Sequence, residues 1–84
     1  MKTKVLVEII IPAAEKKFDV FIPLMNRMSD VKLLISGVVN ELSGGKIKTD
    51  PSSILCDAEN GNILDINKRV TELGIKNGSK LLFI

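Results

Sequence analysis

The chain has no histidine, no tryptophan and no tyrosine, and a single cysteine among its 84 residues. Each absence closes a branch of chemistry. Without an imidazole, Cys56 cannot belong to a cysteine–histidine nucleophile pair. One thiol forms no internal disulfide and holds no metal together with other thiolates; it suits a reducing, cytoplasmic setting. An iron–sulfur cluster, which needs four thiolates, is excluded. The carboxylates Asp57, Glu59 and Asp65 fall around turns, where solvation or turn capping accounts for them, and no acid–base pair is visible. The sequence therefore predicts no enzyme, no cofactor and no metal. No run approaches the 18 or more apolar residues of a membrane span, so no direct membrane insertion is expected. The start, MKTKVLVEIIIP, is basic and then apolar, but Glu8 interrupts it and no small-residue cleavage site follows, so it reads as a strand rather than a signal peptide. Charge of either sign is sparse in net terms. A formal +2 with scattered Lys and Arg calls for no nucleic-acid or membrane-surface partner.

What is present is aliphatic. Hydrophobic residues make up 45% of the chain and aromatics only 4%, so the core must be built from Ile, Leu and Val with Phe18, Phe21 and Phe83. A chain of 84 residues is read as one domain, residues 1–84. A domain of this size buries roughly 60–65% of its unfolded surface, which allows one modest core but no deep enclosed active site beside it.

One convincing helix stands out, from Ser29 to Gly45. Val31, Leu34, Ile35, Val38, Val39 and Leu42 form one apolar stripe at a 3.6-residue period. Ser29 is the expected N-cap, Asp30 places negative charge in the first turn, and Gly44 or Gly45 can end the helix in the left-handed conformation. Leu33 and Gly37 fall opposite the stripe. Either Leu33 staples onto Met28 before the cap, or the pair makes a notch beside an exposed leucine.

The rest reads as short strands and turns. In Val5–Pro12 the odd-numbered Val5, Val7, Ile9 and Ile11 should face the core, because Glu8 should face water. After a turn at Ala13–Lys16, Phe18–Ile22 forms a second strand with Phe18, Val20 and Ile22 inward and Phe21 beside Asp19 outward. Asp50-Pro51 signals a turn. Ile54–Asp57 and the shorter Ile63–Asp65 are strands flanking a turn at Asn60-Gly61. Lys68–Leu73 makes a helical turn ended by Gly74. Asn77-Gly78 is a further turn, and Lys80–Ile84 is the last strand.

Strand, strand, helix, strand, short strand, helical turn, strand predicts an α+β fold. A mixed sheet of four to five strands would wrap one main helix, with the last strand parallel to the first and beside it. This is the ubiquitin-like β-grasp arrangement. The closing segment Leu73-Gly74-Ile75-Lys76-Asn77-Gly78-Ser79-Lys80-Leu81 resembles the L-x-x-x-G-I-x-x-G-D-x-L closing segment of small ubiquitin-like bacterial proteins, of which G-I-x-x-G-x-x-L recurs across ubiquitin-like domains. Among them it is most similar to the YukD/EsaB group, associated with type VII secretion in Gram-positive bacteria; Ser79 stands where that group commonly has Asp.

The resemblance implies a cytoplasmic, non-enzymatic adaptor or accessory protein whose partner is another secretion-system component. The outward strand residues Leu6, Ile10, Phe21, Leu55, Leu82 and Ile84 are expected to form a contiguous apolar patch on the sheet face away from the helix, with Leu6 close to Leu82. Self-association through that patch is an alternative use. So are two other roles. A ubiquitin-like modifier or sulfur carrier acts through a flexible Gly-Gly tail, whereas this sequence ends Leu81-Leu82-Phe83-Ile84 and its Gly44-Gly45 is internal. An excised domain of a larger membrane subunit is the other.

Overall fold

The computed structural model describes residues 3–49 and 52–84; Met1, Lys2 and the expected Asp50–Pro51 turn lie outside the described residues. Among the described residues four strands form one sheet in the order β2-β1-β4-β3, with β1 at Lys4–Ile11, β2 at Lys16–Pro23, β3 at Leu55–Asp57 and β4 at Lys80–Phe83. β1 and β2 make an antiparallel hairpin, β4 runs parallel to β1, and β3 is antiparallel to β4. One helix, α1 at Met28–Leu42, packs on one face of this sheet. The architecture is the ubiquitin-like β-grasp expected from the order of elements, with four strands. Ile63 contributes only an isolated bridge to Cys56 rather than a strand of its own.

β1 alternates as its sequence requires. Val5, Val7, Ile9 and Ile11 are buried, and Glu8 lies on the other face. Pro12 cannot extend the ladder and begins a short 3-10 turn, Pro12–Ala14. Glu15 then reverses the chain in the left-handed region, at φ 53°.

The helix begins differently from the expectation. Its N-cap is Arg27, without a side-chain cap, and Ser29 lies within the first turn. The reason is tertiary. The orphan N–H groups of Met28 and Ser29 donate to the carbonyls of Lys68 and Ile66, at 2.9 and 3.0 Å, so a distant segment does the work of a capping side chain. Met28 is fully buried in the core and Leu33 is 73% exposed, so no staple joins them. The inward stripe is also narrower than the sequence suggests. Met28, Val31, Ile35 and Val39 are fully buried, Val38 packs at the margin, Leu34 is 39% exposed and Leu42 is exposed. A helix lying on a four-stranded sheet presents only one line of side chains to it, and the flanking line reaches the edge of the sheet.

The segment after α1 is tied back to it. Gly44 and Gly45 both adopt positive φ, and the Gly45 N–H donates to the Asn40 carbonyl at 2.8 Å. Between β3 and β4 a 3-10 turn at Val70–Leu73 buries Val70 and ends at Gly74, φ 71°. The N–H groups of Val70 and Thr71 donate to the carbonyls of Asn26 and Leu24, which locks this turn across the start of α1. Among the described residues no helix is long and apolar enough to cross a membrane.

Candidate protein-interaction surface

The sheet face opposite α1 is built by the residues between the buried ones. The strand registers arrange them in rows that run across the sheet. One row is Lys17–Ile10–Leu82–Cys56, continued by the Cys56–Ile63 bridge. Beyond it toward the end of β4, Ile84 and Ile54 exchange hydrogen bonds of 2.7 and 2.9 Å. In the other direction the next row is Asp19–Glu8–Lys80. After that comes Phe21–Leu6, where the Leu6 N–H donates to Asn77 Oδ1 at 2.8 Å and the Leu6 carbonyl accepts from the Gly78 N–H.

This arrangement decides the fate of each residue expected at the site. Ile10 and Leu82 are register partners and half-buried, and Ile84, just past the end of β4, is exposed. Leu6 is half-buried and Phe21 is 62% exposed, but they stand apart from the others. Because Leu82 is opposite Ile10, Leu6 is displaced from it by four β1 positions, about 13 Å at strand rise. Between them run Asp19, Glu8 and Lys80. The expected closeness of Leu6 and Leu82, and hence a single continuous patch, is therefore corrected to two apolar clusters divided by a charged row.

Leu55 is corrected outright. It is 5% exposed and belongs to the core, because it pairs with Phe83, and neighbours paired across a ladder share a face. Its place on the outer face is taken by Cys56, which pairs with Leu82. Cys56 is buried although it is outward, covered in part by the chain returning through Ile63. Sequence reasoning missed Cys56, Ile54 and Ile63 as members of the larger cluster. The signal was weak: Ile54-Leu55-Cys56 is apolar throughout, with no polar residue to set the parity of so short a strand.

The larger cluster thus comprises Ile10, Leu82, Ile84, Ile54 and Ile63 around Cys56, bordered by Lys17 and Lys80. No side chain on it is arranged for bond chemistry. Among the described residues no group of three or more His, Cys, Asp and Glu is placed to hold a metal ion, and none of the buried side chains of the core is polar or charged. What the surface offers is apolar area beside separated charges, which suits recognition of a protein surface.

The fold is ubiquitin-like. No family model and no curated protein matches the chain. Solved structures do. The EccD5 ubiquitin-like domain from Mycobacterium xenopi superposes with a TM-score of 0.80 at 20% identity, over 99% of this chain and 94% of that one. The ubiquitin-like domain of the Mycobacterium tuberculosis type VII secretion system protein EccD1 gives 0.77 at 13% identity, over 99% of both chains. A chain of the MycP5-free ESX-5 inner membrane complex gives 0.79 at 20% identity; there this chain spans only 21% of its counterpart's length. A ubiquitin-like domain of the Arabidopsis thaliana protein At2g32350 is also similar, with a TM-score of 0.73 at 22% identity over 99% of this chain and 78% of that one. At these identities the likeness is one of fold.

Proposed function

We propose that the chain is a non-enzymatic, cytoplasmic ubiquitin-like adaptor of a bacterial type VII secretion system, of the YukD/EsaB kind, acting by protein–protein binding. The observation that carries this reading is the apolar cluster Ile10–Leu82–Ile84–Ile54–Ile63, left uncovered on a sheet whose other face is committed to α1. The resemblance of the closing segment to that group supports it. So does the likeness in fold to ubiquitin-like domains of type VII secretion proteins. The partner is another component of the secretion apparatus. The same mode of docking serves if the chain is one domain of a larger subunit.

The test separates the two apolar clusters. Leu82→Glu and Phe21→Glu are compared for binding to the purified cytoplasmic region of the cognate secretion membrane subunits, with thermal melts confirming that both fold. Leu82→Glu is expected to remove binding. Full binding by a folded Leu82→Glu protein refutes docking through this face.

A further inference from the structure

Asn60 and Asn77 are each followed by glycine, whereas Asn26, Asn40, Asn62 and Asn67 precede Arg27, Glu41, Ile63 and Lys68. The distinction is chemical. An asparagine carboxamide is open to attack at Cγ by the backbone nitrogen of the next residue, and glycine has no side chain to shield that nitrogen. Both pairs are exposed, and both glycines have positive φ, 76° at Gly61 and 88° at Gly78. At both, a backbone N–H donates to the carboxamide oxygen at 2.8 Å, from Asn62 to Asn60 Oδ1 and from Leu6 to Asn77 Oδ1. Such a donor polarises the carbonyl and meets the oxyanion that forms on attack. On these local grounds the two sites are equivalent. They differ in where their hydrogen bonds lead.

Asn77 and Gly78 are locked onto β1. Leu6 donates to the Asn77 side chain and accepts the Gly78 N–H at 2.9 Å, and the Ser79 carbonyl beside them accepts the Glu8 N–H at 2.9 Å. Freeing the Gly78 nitrogen detaches this turn from a central strand, an opening that approaches global unfolding. Asn60 and Gly61 are held by bonds that begin and end in one turn. The Gly61 N–H donates to the Asp57 carbonyl at 2.8 Å, the Glu59 N–H to Asp57 Oδ1 at 2.8 Å, and the Asp57 N–H to the Asn62 carbonyl at 2.9 Å. The Gly61 nitrogen is released when this turn opens by itself, while β3 stays paired with β4.

We infer that Asn60 is a self-modification site, selected over Asn77 by the fold, at which the folded protein deamidates through a succinimide. The Gly61 nitrogen gives its proton to solvent and bonds to Asn60 Cγ. The Cγ–Nδ2 bond breaks and Nδ2 leaves as ammonia, which closes the ring. Water then opens it. Cleavage between the ring nitrogen and Cγ leaves aspartate, and cleavage between that nitrogen and the Asn60 backbone carbonyl carbon leaves isoaspartate. Water is the sole co-reactant and nothing is oxidised or reduced. Isoaspartate adds one carbon to the backbone, and a negative charge next to Glu59, in the turn that the Asp57–Asn62 bond closes. Ile63 follows at once and bridges to Cys56. The lengthened turn therefore lifts Ile63 from the buried thiol.

The test ages the full chain for weeks at mildly alkaline pH, folded and in urea, and follows each asparagine by peptide mapping with mass spectrometry that separates aspartate from isoaspartate. In the folded protein Asn60 is expected to convert about tenfold faster than Asn77, and in urea the two should convert at similar rates. The isoaspartate fraction, isolated by ion exchange on its added charge, should label at Cys56 about tenfold faster than the unaged protein. Any of four outcomes overturns the inference. These are Asn77 converting as fast as Asn60 in the folded protein, Asn60 converting no faster than Asn62 or Asn67, the same preference for Asn60 persisting in urea, which would place the selection in the sequence rather than the fold, or unchanged Cys56 labelling in the isoaspartate fraction.

Discussion

Gly37 offers a clean test of how the helix is held. It lies in the interior of α1, its backbone is helical, and a Cβ built on it meets no atom within 4 Å. Nothing in the fold asks for a glycine there. The substitution Gly37→Ala removes backbone freedom from the unfolded chain without strain in the folded one, and the helix-propensity difference is about 1 kcal/mol. Unfolding entropy near the midpoint is about 2.1 cal/mol/K per residue, which over 84 residues is roughly 180 cal/mol/K. A gain of about 1 kcal/mol should therefore raise Tm by about 5–6 °C. Gly44→Ala is the matched control, because its φ of +66° penalises any side chain by about 1 kcal/mol. Calorimetry or circular-dichroism melts of both variants read the pair. A Gly37→Ala protein with an unchanged or lowered Tm refutes the reasoning, since it means that the glycine has a packing role the structure lacks.

Two further predictions follow from burial. Ile35→Ala, at a fully buried site under the sheet, should cost about 3 kcal/mol in urea unfolding, and Leu34→Ala, at a site 39% exposed, about 1 kcal/mol; equal losses would contradict the helix orientation. Cys56, buried on the outer face, should react with a thiol reagent about a hundredfold more slowly in the native protein than in urea, and rapid native labelling would show that the Ile63 segment does not cover it.

Much of the fold can be read locally. Glu8 is the lone charged residue between apolar neighbours in β1, and it alone assigns the inward and outward positions of that strand correctly. Pro12 and Pro23 mark where the hairpin strands stop, and Gly44, Gly61, Gly74 and Gly78 sit at the turns their positive φ requires. The candidate surface is less legible. Phe21 is placed outward by its neighbour Asp19, but the parity of Leu55 has no such marker. Ser29 looks like a cap because its side chain is suited to one, yet carbonyls from residues 66 and 68 take the donors first.

Sequence alone thus determined the element order, the aliphatic core, the inward set of β1 and the absence of an imidazole or a second thiol, because these depend on residue type and on periods of two and 3.6 residues within a single segment. The tertiary structure decided which outward residues meet. Pairing between β1 and β4 joins positions some 72 residues apart, as Glu8 and Lys80 show, and no local pattern encodes that offset. That register places Leu82 beside Ile10 rather than Leu6, and the register of β3 on β4 puts Cys56 on the outer face and Leu55 in the core. The way α1 lies against the sheet leaves Leu34 and Leu42 exposed although both belong to the apolar stripe. The candidate surface is set by these long-range alignments, and the core that supports it by composition and period.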